Sequence, residues 1–260
     1  MGIVLNEREW VEAAIASRQL GKTPAETLSK LARYYYHAEG YKKSDVRKKL
    51  EEFMLQCDPH IVLVKWSDLL DSIVRNVNKY PLIEIDGIDI TEAELEVIAS
   101  LSGALTQRLA FTLLCIAKYW NTANPGNRSW VNTPDKDIMR MANIGTSIKR
   151  QSDMFHTLRQ AGLLRFSKKV DSLNTQVRFI KPNSPVKLHI SDFRNLGNQY
   201  MMYCGGAYMQ CVQCGLTVKR RGNAQKYCPD CAAEIYLKQT VESTMRHRAA
   251  KANSFKTESD

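Results

Sequence analysis

The sequence predicts a mainly α-helical fold in three parts, and three observations carry that reading. Apolar residues recur at helical spacing behind capping residues through most of the 260-residue chain. Charge is divided unevenly: residues 1–103 hold 13 basic against 17 acidic residues, a net of −4, whereas residues 104–182 hold 13 against 4, a net of +9. Four of the seven cysteines form two CxxC pairs near the C-terminus. Apolar residues at 44% and charged residues at 25% are globular proportions, which exclude a wholly disordered or fibrous chain. The longest apolar run, residues 109–116, is less than half the roughly 18 residues that a membrane helix requires. The opening MGIVLNEREW turns acidic at once and lacks a basic n-region, so the expectation is a soluble, cytoplasmic protein.

Residues 1–103 read as an acidic helical domain. Asn6-x-x-Glu9 is a capping pattern for a first helix to about Leu20, with Trp10, Ala14 and Ile15 on its apolar stripe and Gly21 after it. Thr23-Pro24-Ala25-Glu26 combines a capping threonine with proline at the first helical position, and starts a second helix through Leu28, Leu31, Tyr34 and Tyr35 to Gly40. Ser44 is expected to cap a third helix carrying Val46, Leu50, Phe53 and Met54, and a fourth follows from Trp66 to Val77. Residues 82–90 alternate apolar and acidic residues around Asp86-Gly87, which suggests a short extended segment or small hairpin. Thr91-x-x-Glu94 then caps a helix to Gly103. The Tyr34-Tyr35-Tyr36 run fits either core packing or base stacking, and helical spacing favours core.

Residues 104–182 follow the order helix, helix, helix, hairpin. Leu105, Leu109, Thr112, Leu113 and Ile116 form the stripe of the first helix, and Arg128 to Asn132 add a short strand. Thr133-Pro134 opens the second helix, with Ile138, Met141 and Ala142 inward. A turn at Asn143-Ile144-Gly145 leads to Thr146 as cap of the third, which keeps Ile148, Phe155 and Leu158 on one face and ends at Ala161-Gly162. Residues 163–166 and 175–180 have strand composition, with a turn near Asp171-Ser172. His156 reads as a packed or exposed histidine without a catalytic partner.

This order, with its "LRQAGLL" stretch before the hairpin, resembles a winged helix-turn-helix domain of the bacterial or phage replication-initiator or regulator type. In that family the third helix presents its N-terminal part to the DNA major groove. The resemblance implies DNA-binding roles for Thr146, Ser147, Lys149, Arg150 and Asp153 on the helix, and for Lys168, Lys169 and Asn174 on the wing. Residues 183–203 are expected to be a linker.

The cysteine pattern is Cys211-x2-Cys214, 13 residues, then Cys228-x2-Cys231. In a chain without a secretion signal, paired CxxC turns at this spacing point to metal rather than disulfides, and four sulfurs suit one structural zinc ion. Cys57, Cys115 and Cys204 fall outside the pattern, and Cys57-Asp58-Pro59-His60 has no matching second half. The segment is similar to small zinc ribbons and treble-clef-like knuckles of DNA-associated proteins. Arg220 and Arg221, flanked by Lys219 and Lys226, lie between the knuckles as further phosphate contacts. Residues 204–252 thus read as a zinc ribbon followed by a basic helix with Arg246, His247 and Arg248, and residues 253–260 as a disordered tail.

No phosphate-binding GxxxxGK[ST] loop, GxGxxG, HExxH or GxSxG motif is present, and no catalytic constellation is visible. Glu84, Asp86 and Asp89 read as a solvated strand face. The expected function is non-enzymatic binding of duplex DNA, in replication or transcription control. A protein-docking factor that modulates a nucleoprotein machine, or an RNA-binding protein, are the alternatives. The N-terminal domain could hold a protein partner, a homodimer is compatible with the sequence, and no membrane partner is expected.

Overall fold

The structure, a computed structural model, describes residues 3–167 and 174–257. It is mainly helical, with small sheets. The chain divides into two compact units: Met1–Ala93 with Cys115–Val131 and Ile180–Phe193, and Glu94–Leu114 with Asn132–Phe179 and Arg194–Asp260. Among the described residues, no helix is long and apolar enough to cross a membrane.

The first unit is built on α1 (Glu7–Ser17), α2 (Pro24–Arg33), α3 (Lys43–Cys57) and α4 (Ser67–Asn76). Asn6 caps α1 as its spacing predicts, its side-chain oxygen accepting from the Glu9 amide at 3.1 Å. α3 starts at Lys43 behind Lys42, so Ser44 lies inside the helix instead of capping it. Val11, Leu28, Leu31, Val46, Leu50, Phe53, Met54 and Leu70 form the shared core of the four helices. Tyr34, Tyr35 and Tyr36 sit in a π-helical turn, Tyr34–Ala38, and pack against that core, which leaves them partly buried.

Residues 82–90 do not fold back on themselves. β1 (Ile88–Thr91) pairs antiparallel with β5 (Val186–Ile190), with Ile88 opposite Ile190 and Asp89 opposite His189. Gly87 is needed for close approach: a Cβ there would fall 2.2 Å from Nε2 of His189 and 2.8 Å from the Ile190 carbonyl. Thr91 is strand, not helix cap, and its hydroxyl donates to the Lys181 carbonyl at 3.0 Å. The stretch 183–203, expected as a linker, therefore carries β5 and a helix. α5 (Glu92–Ala99) follows β1 and ends before Gly103.

One buried ion pair ties α1 to α2. Arg33 donates through Nε and Nη2 to the two carboxylate oxygens of Glu7, with side-chain exposures of 14% and 4%. The Ile83 amide also donates to Glu7, at 3.3 Å. Two bonds from one guanidinium make this a fork-type pair, whose separate partners would be costly to leave buried alone.

α6 (Ala104–Ala123) is buried on every side from Leu109 to Ala117, a wider apolar surface than the five-residue stripe predicts. Its first half belongs to the second unit, with α7 (Asp135–Met141), α8 (Ile148–Gln160), β3 (Leu164–Phe166), β4 (Thr175–Val177) and α9 (Leu196–Tyr203). β2 (Trp130–Val131) is the short strand expected after α6. β3 and β4 pair antiparallel, with Leu164 opposite Val177 and Phe166 opposite Thr175. Met154, Phe155 and Leu158 bury one face of α8, and Gly162, in the left-handed region, closes it. β6 (Tyr208–Gln210) pairs with β7 (Thr217–Lys219), and α10 (Pro229–Thr257) follows, continuing helical into the stretch expected as a disordered tail.

Removing one partner of the Glu7–Arg33 pair leaves a buried charge. Arg33→Met is expected to lower the unfolding free energy by about 3–5 kcal/mol, read by denaturant titration. A loss below about 1 kcal/mol contradicts the pair's structural role.

Candidate metal centre and nucleic-acid interface

The two CxxC pairs converge because each sits at the end of a regular element. Cys211 and Cys214 form the loop of the β6–β7 hairpin, closed by the Cys211 amide on the Leu216 carbonyl (3.0 Å) and the Gly215 amide on the Cys211 carbonyl (2.8 Å). Gly215 has φ +73°, a left-handed conformation that a side chain would strain. Cys228 immediately precedes α10, and Cys231 lies in its first turn, its amide 3.5 Å from the Cys228 sulfur.

The ligand atoms of Cys211, Cys214, Cys228 and Cys231 all lie within 4.8 Å of one another. The Cys214 and Cys228 sulfurs are 3.7 Å apart. That is far beyond a disulfide bond of about 2.05 Å. It matches the edge of about 3.8 Å of a tetrahedron whose centre is about 2.3 Å from each sulfur. All four cysteines are free thiols, three of them buried. Burial opposes a charge on Cys211, but hydrogen bonds from the backbone at Cys228, Cys214 and Gln213 outweigh it and bring its pKa down to about 6. The thiol of Cys231 moves up instead, chiefly through its hydrogen bond with the Cys228 sulfur. Crowded thiols at contact distance can hold a metal ion, which would replace this shared hydrogen bonding by four metal–sulfur bonds. The donor set is wholly soft and closed, with no site for a substrate water.

Among the remaining cysteines, Cys115 is buried in α6, Cys204 is exposed at the end of α9 and Cys57 is half-buried at the end of α3. His156 is exposed, with its ring edge-on to Phe166 at 5.5 Å.

The residues assigned to nucleic-acid contact fall in several places. Ser147, not Thr146, caps α8, accepting from the Arg150 amide at 3.4 Å. Thr146 sits one residue earlier, its hydroxyl buried without a hydrogen-bond partner. Gln151 donates to the Thr146 carbonyl at 2.8 Å and fixes the entry to the helix. Ser147, Lys149, Arg150 and Asp153 are exposed on the first two turns. Ile148, expected to face inward, is 84% exposed, because a helix starting at residue 148 turns its buried face to Met154, Phe155 and Leu158 instead. Asn174 precedes β4 and its carbonyl accepts from the Ser167 amide at 3.0 Å. Lys168 and Lys169 lie outside the described residues. Arg220 and Arg221 are exposed just past β7, where the Arg220 amide donates to the Ala207 carbonyl and the Arg221 amide to Oε1 of Gln225.

Sequence reasoning missed the polar residues that hold the turn before α8. Arg108 of α6 donates through Nε to the Ala142 carbonyl at 3.1 Å. Its Nη2 reaches the Asn143 carbonyl at 2.6 Å and Oδ1 of Asn198 at 3.1 Å. Burial holds the Arg108 pKa below the ordinary arginine value. The faint signal was Asn143 itself, a non-glycine residue at φ +51° in the turn before α8.

No protein-family model, curated protein or solved structure matches the chain. The chemistry of the site therefore rests on its own geometry. Elemental analysis of the purified protein is expected to find one metal ion per chain. Cys228→Ser should abolish it and Cys204→Ser should leave it unchanged; equal retention in both variants would contradict the four-sulfur site.

Proposed function

We propose that the protein is a non-enzymatic DNA-binding factor of the bacterial or phage replication or transcription type. In this reading the three helices α6, α7 and α8 with the β3–β4 hairpin act as a winged helix-turn-helix, and the cysteine centre is a zinc ribbon. The carrying observation is the exposed N-terminal end of α8, which presents Ser147, Ile148, Lys149 and Arg150 in the most basic part of the chain. Such a helix end offers free amide donors and a positive dipole to phosphate, and its side chains have the reach of a groove reader.

Roles follow from side-chain chemistry. Lys149 and Arg150 donate to guanine edges or phosphates, while Ser147 supplies a hydroxyl at the helix entry and Thr146, its own hydroxyl buried, helps to fix that entry through its carbonyl. Ile148 adds an apolar contact of the kind made to a thymine methyl group. Asp153, one turn on, accepts from a cytosine amino group. Lys168, Lys169 and Asn174 supply the wing contacts, and Arg220 and Arg221 supply sequence-independent phosphate contacts. Zinc suits the closed set of Cys211, Cys214, Cys228 and Cys231, where it serves folding rather than chemistry.

A second reading, docking on a protein partner, is favoured by one feature. Tyr236, Leu237, Val241 and Met245 are exposed on α10, three of them at intervals of four residues. For the RNA-binding alternative, Tyr34, Tyr35 and Tyr36 are partly buried against the first-unit core, while the basic residues Lys219, Arg220 and Arg221 are exposed.

The test compares a duplex selected from a random library with unselected duplex. Lys149→Ala and Arg150→Ala are expected to weaken the selected duplex by about 1–3 kcal/mol and to relax preference at individual bases. Arg221→Ala should weaken all duplexes alike and reduce the salt slope by about 1. Equal losses on both duplexes for all three variants would remove the readout role of α8.

A further inference from the structure

The polar network at the turn before α8 extends beyond that turn. Asn198, 2% exposed in α9, accepts at Oδ1 from Arg108 (3.1 Å) and from the Asn143 side chain (2.9 Å). Its Nδ2 donates to the carbonyl of Thr217 at 3.0 Å. Thr217 opens β7 directly after the first cysteine knuckle. The neighbours dictate the orientation of the Asn198 amide: a guanidinium can only donate to it, and a carbonyl can only accept from it. Asn195 adds a second donor to the same carbonyl at 3.3 Å, and Arg194 donates to the Cys214 carbonyl at 2.6 Å.

Packing enforces the same junction. Gly197 lies so close to the turn that a Cβ would fall 2.0 Å from the Ala142 carbonyl and 2.8 Å from Nε of Arg108. The last residues of α7 and the left-handed Asn143 are thus held from one side by Arg108 and from the other by α9, whose other partner is the knuckle hairpin. α8 begins only five residues after Asn143.

We infer that the cysteine centre is a positioning device for α8: when metal closes the knuckle, Thr217 holds Asn198, and Asn198 with Arg108 holds the Ala142–Asn143 turn that aims the helix. Metal occupancy thereby governs how the N-terminal end of α8 is presented, and Asn198 and Arg108 are positioning residues. Only the consequence for DNA affinity rests on the proposed nucleic-acid function; the mechanical coupling does not.

Asn198→Asp separates the two halves of the relay. The carboxylate keeps its acceptors for Arg108 and Asn143 but has no donor for the Thr217 carbonyl. The test is hydrogen exchange on the full chain, metal-loaded and after stripping with a chelator, alongside metal-loaded Asn198→Asp and Asn198→Ala. Stripping is expected to speed exchange of the Asn143 and Ile144 amides and the first turn of α8 by about tenfold or more. Asn198→Asp should do the same while retaining its metal, and amides of α3 should not change in any sample. Unchanged exchange at Asn143–Gln151 on stripping overturns the relay. Equal acceleration through Leu109–Leu114 and β3 also overturns it, because that pattern is general unfolding of the unit.

Duplex affinity is measured on the same samples, with a loss of about tenfold or more expected on stripping and in Asn198→Asp. If exchange responds as described but no sample binds duplex, the DNA reading falls and the relay stands. If wild-type protein binds duplex equally with and without metal, the relay's control of binding is refuted and the DNA reading stands.

Discussion

Four cysteine sulfurs within 4.8 Å of one another place the strictest demand on the second unit. Ionised sulfurs at that spacing repel, and a cation at their centre removes the repulsion. Among the described residues, Leu216, Val218 and Tyr227 pack around them as partly buried hydrophobic residues, together with Cys214 itself. So small an apolar cluster cannot by itself order a three-residue hairpin and the start of a long helix. The β6–β7 pairing, the entry to α10 and the Thr217 carbonyl all lie next to that centre.

The first unit meets a different constraint. Its helices bury a continuous core from Val11 to Val77 and one fork-type ion pair, Glu7 with Arg33, whose partners come from different helices. Large apolar area carries the stability there, and the ion pair adds specificity to how α1 meets α2. The second unit instead joins short elements by polar bonds: Arg108 donates to the carbonyls of Ala142 and Asn143, Asn198 donates to that of Thr217, and the Asn143 side chain donates to the Asn198 side-chain oxygen. Such networks are directional, which suits a region whose exposed product is one helix end.

Local features were legible in the sequence. Asn6 caps α1, the CxxC pairs come together, and α2, α4, α7 and α8 lie close to where periodicity puts them, because each signal is contained within a few neighbouring residues. Non-local features were not. The alternation at residues 82–90 reads as a short extended segment or a small hairpin; the strand β1 is there, but its partner lies about a hundred residues away, and Gly87 serves close approach to His189 rather than a turn. Thr146 and Ser147 are adjacent hydroxyl residues with equal capping chemistry, and the choice of Ser147 turns Ile148 outward. The turn at Asn143 is legible, but Arg108 and Asn198 carry no periodicity, so only their hydrogen bonds reveal what holds it.

Nucleic-acid preference tests the central claim most directly. Metal-loaded full-length protein would be titrated against fluorescent duplex DNA, single-stranded DNA and single-stranded RNA of matched sequence over a range of salt. Duplex DNA is expected to bind tightest, with an affinity that falls steeply and linearly on a logarithmic salt scale as phosphate counterions are released. Absence of duplex binding at low salt, or a clear preference for single-stranded RNA, would contradict it.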